Sequence, residues 1–124
     1  MPDTGNPFNT PVNFEGRYSV TLGTGVVSNV PYVMKTVHNL ICFLSDVDFP
    51  ANSSPILTLP AECRPLNDLR FPCYYDDGNN NISLEMVIVS AQTGNLNVLP
   101  NIATQGGLLY LNGLTFSMNS AYYS

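Results

Sequence analysis

From Phe14 onward the apolar positions fall in short runs divided by turn residues, and where they alternate they do so with a period of two. Between Arg17 and Leu22, Tyr18, Val20 and Leu22 share one face, and Ser19 and Thr21 the other, a strand pattern broken by Gly23-Thr24-Gly25. Val26 and Val27 lead to Asn29, and Pro31 ends that piece. Residues 32–49 are ambiguous, because Val33, Val37, Leu40, Ile41 and Leu44 also fit helical spacing. Their richness in Val, Thr, Tyr, Phe and Cys decides for strand, centred on Leu40–Leu44. Asp46 to Ser54 reads as a loop, Cys73–Tyr75 as a short strand and Asp76–Asn81 as a turn.

Ile82 to Ser90 opens with strict alternation and becomes wholly apolar at Met86–Val89, the pattern of a strand that enters solvent-faced and ends covered on both sides. Leu84 and Met86 on one face of this strand suit either an axis between copies or the core of a sandwich. Thr93-Gly94 predicts a hairpin into Leu96–Leu99, and Asn112-Gly113 a second one between Leu108–Leu111 and Leu114–Ser117. About seven or eight short strands, punctuated roughly every 8–12 residues, predict an all-β antiparallel sandwich or jelly roll.

The stretch from Leu57 to Pro72 carries three prolines, Pro60, Pro65 and Pro72. Each fixes φ and removes a backbone donor, and each pushes the preceding residue (Leu59, Arg64, Phe71) into an extended conformation. The stretch therefore predicts a strand-like crossing segment that runs along an edge or lids a core, rather than a central strand. Residues 1–13, with Pro2, Pro7, Pro11 and three Asn, predict a linker or arm in front of a head domain over residues 14–124.

Composition sharpens the picture in one respect. Only 10% of the 124 residues are charged, against roughly 25% in an ordinary soluble domain. Asn, Ser and Thr fill the polar positions instead, and neutral groups can be buried in a contact without stranding a charge. This predicts a surface that is partly covered by copies of the chain or by a partner, the competing reading being an unusual neutral monomer. The net charge of −5, with Lys35, Arg17, Arg64 and Arg70 as the cations, leaves no basic patch and argues against nucleic acid and anionic membranes. No apolar run approaches about 18 residues, so membrane insertion is not expected. The amino-terminal stretch has no basic region followed by an apolar core, so no secretory leader is expected.

Catalytic chemistry is thinly provided. His38 is the one histidine, and on a strand it stands roughly 13 Å from Cys42, too far for a proton handoff. Cys42, Cys63 and Cys73 lack any C-x-x-C spacing and read as small buried hydrophobes from a reducing compartment. A Cys63–Cys73 bridge remains open. Zinc sites of several histidines or paired cysteines are excluded by counting. The acidic pairs Asp46/Asp48 and Asp76/Asp77 could in principle serve glycoside hydrolysis, yet read more simply as loop and turn residues. No metal, cofactor or catalytic residue is therefore expected, and a polysaccharide hydrolase is the weakest of the functions considered. The best candidate binding site is Tyr74, Tyr75, Asp76 and Asp77. There aromatic faces would stack on sugar rings and neighbouring carboxylates would accept hydroxyl protons. The competing reading is that these four finish a strand and pack locally.

Taken in order, Ile41–Leu44, Leu59-Pro-Ala-Glu-Cys-Arg-Pro65, Phe71-Pro72, Ile88–Leu96 around Gly94 and Leu108–Ser117 around Gly113 resemble the carboxy-terminal head domains of viral and bacteriophage fibres and receptor-binding proteins. The resemblance spans roughly residues 37–118 in order and spacing. It implies a jelly-roll-like head forming a parallel homotrimer, without enzymatic activity, that attaches a virion to a host-surface receptor, often a glycan. It further implies other virion proteins as partners through the N-terminus, and a place on the virion surface after synthesis in the cytoplasm of the infected host. A structural capsid or scaffold component and a cellular trimeric jelly-roll ligand are the alternatives.

Overall fold

A computed structural model describes residues 16–119, so the arm expected over residues 1–13 and the closing Tyr122-Tyr123 lie outside the described residues. The described chain is all-β and antiparallel, with one short helix. Its strands are β1 (Gly16–Ser19), β2 (Thr21–Leu22), β3 (Val27–Ser28), β4 (Tyr32–Lys35), β5 (Leu40–Phe43), β6 (Val47–Phe49) and β7 (Leu57–Thr58). They continue as β8 (Leu69–Asp76), β9 (Ile82–Val89), β10 (Asn95–Val98), then helix α1 (Pro100–Gln105), β11 (Gly107–Leu109) and β12 (Thr115–Ser117). One sheet has the order β1-β4-β5-β12, and the other the order β2-β7-β10-β9-β8-β11-β6-β3. The outermost strands of the larger sheet, β2 and β3, are joined by the tight turn in which the Val26 amide donates to the Gly23 carbonyl. The larger sheet thus curls almost into a barrel.

The alternation from Arg17 to Leu22 survives as read: Tyr18, Val20 and Leu22 pack on the core while Arg17, Ser19 and Thr21 face solvent. The strand nevertheless changes partner at Val20, pairing with β4 before it and with β7 after it. The ambiguous stretch 32–49 is not one strand but three. Thr36–Asn39 turns the chain between β4 and β5, with Asn39 at a φ of 63°, and the loop expected at Asp46–Ser54 contains β6. At Gly113, φ is 88° and the turn forms, but it is a corner rather than a hairpin. The strand before it pairs with β6 and β8, and the strand after it crosses to β5. Helix α1 was not expected; Pro100 at its first turn and Gly106 just past its end are the signature that marks it.

The core lies between the sheets. Val33, Ile41, Phe43 and Phe116 of the smaller sheet meet Leu57, Leu69, Val87, Val89, Leu96 and Leu109 of the larger one in a single buried cluster. The Phe71 and Phe116 rings stack across the gap at 6.3 Å. The proline-rich stretch lids this core, with Leu59, Cys63 and Pro65 buried. It is less extended than expected, since Ala61–Cys63 closes a 3-10 turn between extended Pro60 and Arg64.

Pro72 departs from expectation more sharply. It lies inside β8, which has neighbours on both sides in the sheet. The resolution is local. Alternate residues of a strand turn their backbone groups to alternate neighbours. The Tyr74 carbonyl accepts from the Tyr110 amide, so Tyr74 faces β11, and Pro72, two residues back, faces the same side. Pairing with β11 covers only Tyr75 and Asp76, extended by that bond to Tyr74. The missing donor of Pro72 therefore points off a stretch of β8 that has no strand beside it, where it costs no ladder bond.

Candidate functional site

The site is built by the longest pairing in the chain, the β8–β9 hairpin, whose register runs from Leu69 opposite Val89 to Asp76 opposite Ile82. A strand's side chains alternate between faces. One face of this pair carries Leu69, Phe71, Cys73 and Tyr75 with Val87 and Val89, and supplies the core. The other carries Arg70, Pro72, Tyr74 and Asp76 opposite Ile88, Met86, Leu84 and Ile82. On that outer face Tyr74 is 58% exposed, Leu84 57%, Ile82 59% and Met86 39%. The alternation of Ile82-Ser-Leu-Glu-Met86 is thus inverted relative to a core strand, with its apolar side turned out. The run Met86–Val89, read as covered on both sides, is covered on one. Leu84 and Met86 belong to the surface and not to the sandwich core.

The same alternation divides the four residues singled out in the sequence. Tyr74 looks outward. Tyr75, 2% exposed, enters the core, where its ring lies 6.1 Å from that of Phe49 and its hydroxyl donates to the Gly106 carbonyl. Asp76 shares the outer face with Tyr74; its carboxylate accepts from the Tyr110 hydroxyl at 3.1 Å and from the Gly78 amide at 2.8 Å. Asp77 is committed to the turn. Its Oδ1 accepts from the amides of Asn79 and Asn81 and its Oδ2 from the Asn81 side chain, which hold the carboxyl below its ordinary range, the Asn81 side chain most strongly. Tyr74 and Asp76 therefore form one surface, and Tyr75 and Asp77 serve the fold.

Ile82, Leu84, Met86 and Pro72 complete this surface, and the sequence reading did not assemble them. The signal was present: a turn at Asp76–Asn81 sets Tyr74 opposite Leu84, and the period of two then gathers the rest. Polar groups frame the strip. Arg70 stands at one end beside Ile88 and Asn97, and Asp76 at the other beside Leu108. The other cations are engaged within the chain: Arg17 over the Tyr32 ring, Lys35 on the Glu62 carbonyl and Arg64 on the Gln92 carbonyl. Among the described residues, Arg70 is the cation that meets no partner.

The remaining candidates lie elsewhere. Asp46 and Asp48 line a depression of about 530 Å³ with Val27, Asn29, Leu44 and Asn112, and Asp46 accepts from the Asn112 amide at 2.9 Å, capping the corner turn. His38 is exposed in the β4–β5 turn rather than on a strand. The three cysteines are free. Cys63 and Cys73 are buried, and burial raises the Cys73 thiol to about 11. Among the described residues no three His, Cys, Asp or Glu side chains gather as metal ligands. Comparison with protein families, curated proteins and solved structures finds no match to this chain.

Proposed function

We propose that this chain is a non-catalytic β head that associates with copies of itself through the outer face of the β8–β9 hairpin. In this reading the assembled head serves a virion as a fibre-tip or spike domain and presents its loops to a host-surface receptor, a glycan being the expected class. The single observation that carries the reading is the apolar strip of Tyr74, Ile82, Leu84 and Met86, exposed on a regular sheet face in a chain with few charges. Strips of this kind on a soluble protein mark contact surfaces. Attachment to a host rests on the order of elements from Ile41 to Ser117 that resembles fibre heads and also implies the jelly-roll topology; the parallel threefold such heads adopt is the alternative to the twofold contact argued below from the charges of this face. Weak sugar binding gains strength when several copies act together, which links association to attachment.

Light scattering on the full chain at micromolar concentration tests association, with a mass above 13.5 kDa expected. A monomer across the accessible range overturns the proposal. A glycan array and cell-binding assay test attachment. Binding that weakens in a dissociated variant supports it, and silence with association intact leaves a structural capsid or scaffold component.

A further inference from the structure

We infer that the outer face of the β8–β9 hairpin mates with the same face of a second copy through a twofold axis lying across the strands. This inference rests on the self-association proposed above and specifies its geometry.

The placement of charge carries it. Along β8 the outward residues run Arg70, Pro72, Tyr74, Asp76, and along β9 the facing residues run Ile88, Met86, Leu84, Ile82. A twofold axis in the plane of the contact and perpendicular to the strands lays β8 on β8 and β9 on β9, each reversed. Arg70 of each copy then faces Asp76 of the other, Pro72 faces Tyr74, Met86 faces Leu84 and Ile88 faces Ile82. Every outward position meets a residue of matching character, which is the self-complementarity an isologous contact requires. The pairing also gives a partner to the one cation that has none within the described chain.

A parallel threefold running along the strands does the opposite. It brings three Arg70 to one level and three Asp76 to another, crowding like charges at both ends of the contact. Size is also sufficient. The four exposed residues present roughly 450 Å² of mostly apolar surface, within the roughly 300–600 Å² of the largest patch on a typical monomer, which is often a functional one. Framed by Arg70, Pro72, Ile88, Asn97, Leu108 and Tyr110, the face approaches the roughly 800 Å² per partner of a stable pair.

Sedimentation equilibrium on the full chain, combined with thiol cross-linking, tests the geometry. The expected mass is twice 13.5 kDa. Leu84→Asp, on a side chain more than half exposed, is expected to fold, to match the thermal transition of the native chain at dilutions where that chain is dissociated, and to weaken the pair by roughly thirtyfold or more. Chains carrying Arg70→Cys, mixed with chains carrying Asp76→Cys, are expected to link through a short bismaleimide. Arg70→Cys chains alone, and the native chain, are expected not to link. A trimer whose Arg70→Cys chains link to one another overturns the twofold and leaves the proposed association standing. A dimer without the 70-to-76 link also overturns the twofold. A monomer overturns both.

Discussion

The phenol of Tyr75 donates to the carbonyl oxygen of Gly106, tying the middle of the large sheet to the residue that ends helix α1, 31 positions further along the chain. Both partners are buried, so the bond is made where water cannot replace it. Tyr75→Phe keeps the ring against Phe49 and removes only the donor. It is expected to cost about 1–3 kcal/mol, the price of an orphaned buried carbonyl, as read by urea unfolding.

Gly106 is held in place twice over. Its φ is 77°, and a Cβ there would stand 2.7 Å from the Ala51 amide nitrogen and 2.9 Å from the Pro50 carbonyl carbon, both backbone atoms that cannot swing aside. Gly106→Ala should therefore lose more than the roughly 1–3 kcal/mol that this glycine-only backbone conformation, with ψ at 166°, costs alone. Gly113 has a similar φ of 88° but open space around it. Gly113→Ala should show the conformational cost by itself, and equal losses for the two variants would contradict the packing argument.

Leu84 and Leu109 separate surface from core. Leu84→Thr removes an exposed side chain and should change the unfolding free energy of the dissociated chain by no more than about 0.5 kcal/mol. Leu109→Ala opens a void at a fully buried position and should cost about 2–5 kcal/mol. Thermal melts of both variants at low protein concentration decide the point.

Two titrations should mark opposite ends of the pH range. Asp77 is held below its unfolded range by the Asn81 side chain and the turn amides, so its contribution is present above about pH 4 and fades as acid protonates it. The stability gap between the native chain and Asp77→Ala should accordingly be constant near neutrality and narrow in acid. Cys73 is raised to about 11 by burial from an ordinary value of 9.0. Its contribution is complete below pH 9 and is lost as pH climbs toward 11, because the unfolded thiol ionises first. Cys73→Ala should flatten that alkaline decline. Iodoacetamide at pH 8 should modify half-buried Cys42 well before Cys63 or Cys73.

Period-two patterning made the all-β class legible, since it depends only on neighbouring residues. It also recovered the Thr93-Gly94 hairpin, because Gly94 supplies the required positive φ of 77°. What it could not show was which sheet each strand joins. The Asn112-Gly113 turn looks like a hairpin locally, yet Asp46, 66 residues away from Asn112, caps it as a corner between sheets. Nor could it show which side of a strand finds cover. Met86 and Val87 are both apolar, and only the packing of Phe116 and its neighbours beneath one face decides that Val87 is buried and Met86 is not. Tyr74 and Tyr75 are adjacent in sequence, and adjacency on a strand sends them to opposite faces.

Pro72 has a further consequence for the hairpin's margins. On the β8 side it removes the amide that an incoming chain would need, so that margin resists lateral growth. On the β9 side, pairing with β10 stops at Val87, and by the same alternation the backbone groups of Ile82, Leu84 and Met86 point outward past it. The hairpin is thus sealed along one rim and open along the other. Lateral addition of a strand to this hairpin in concentrated solution would therefore enter at the rim beside Leu84.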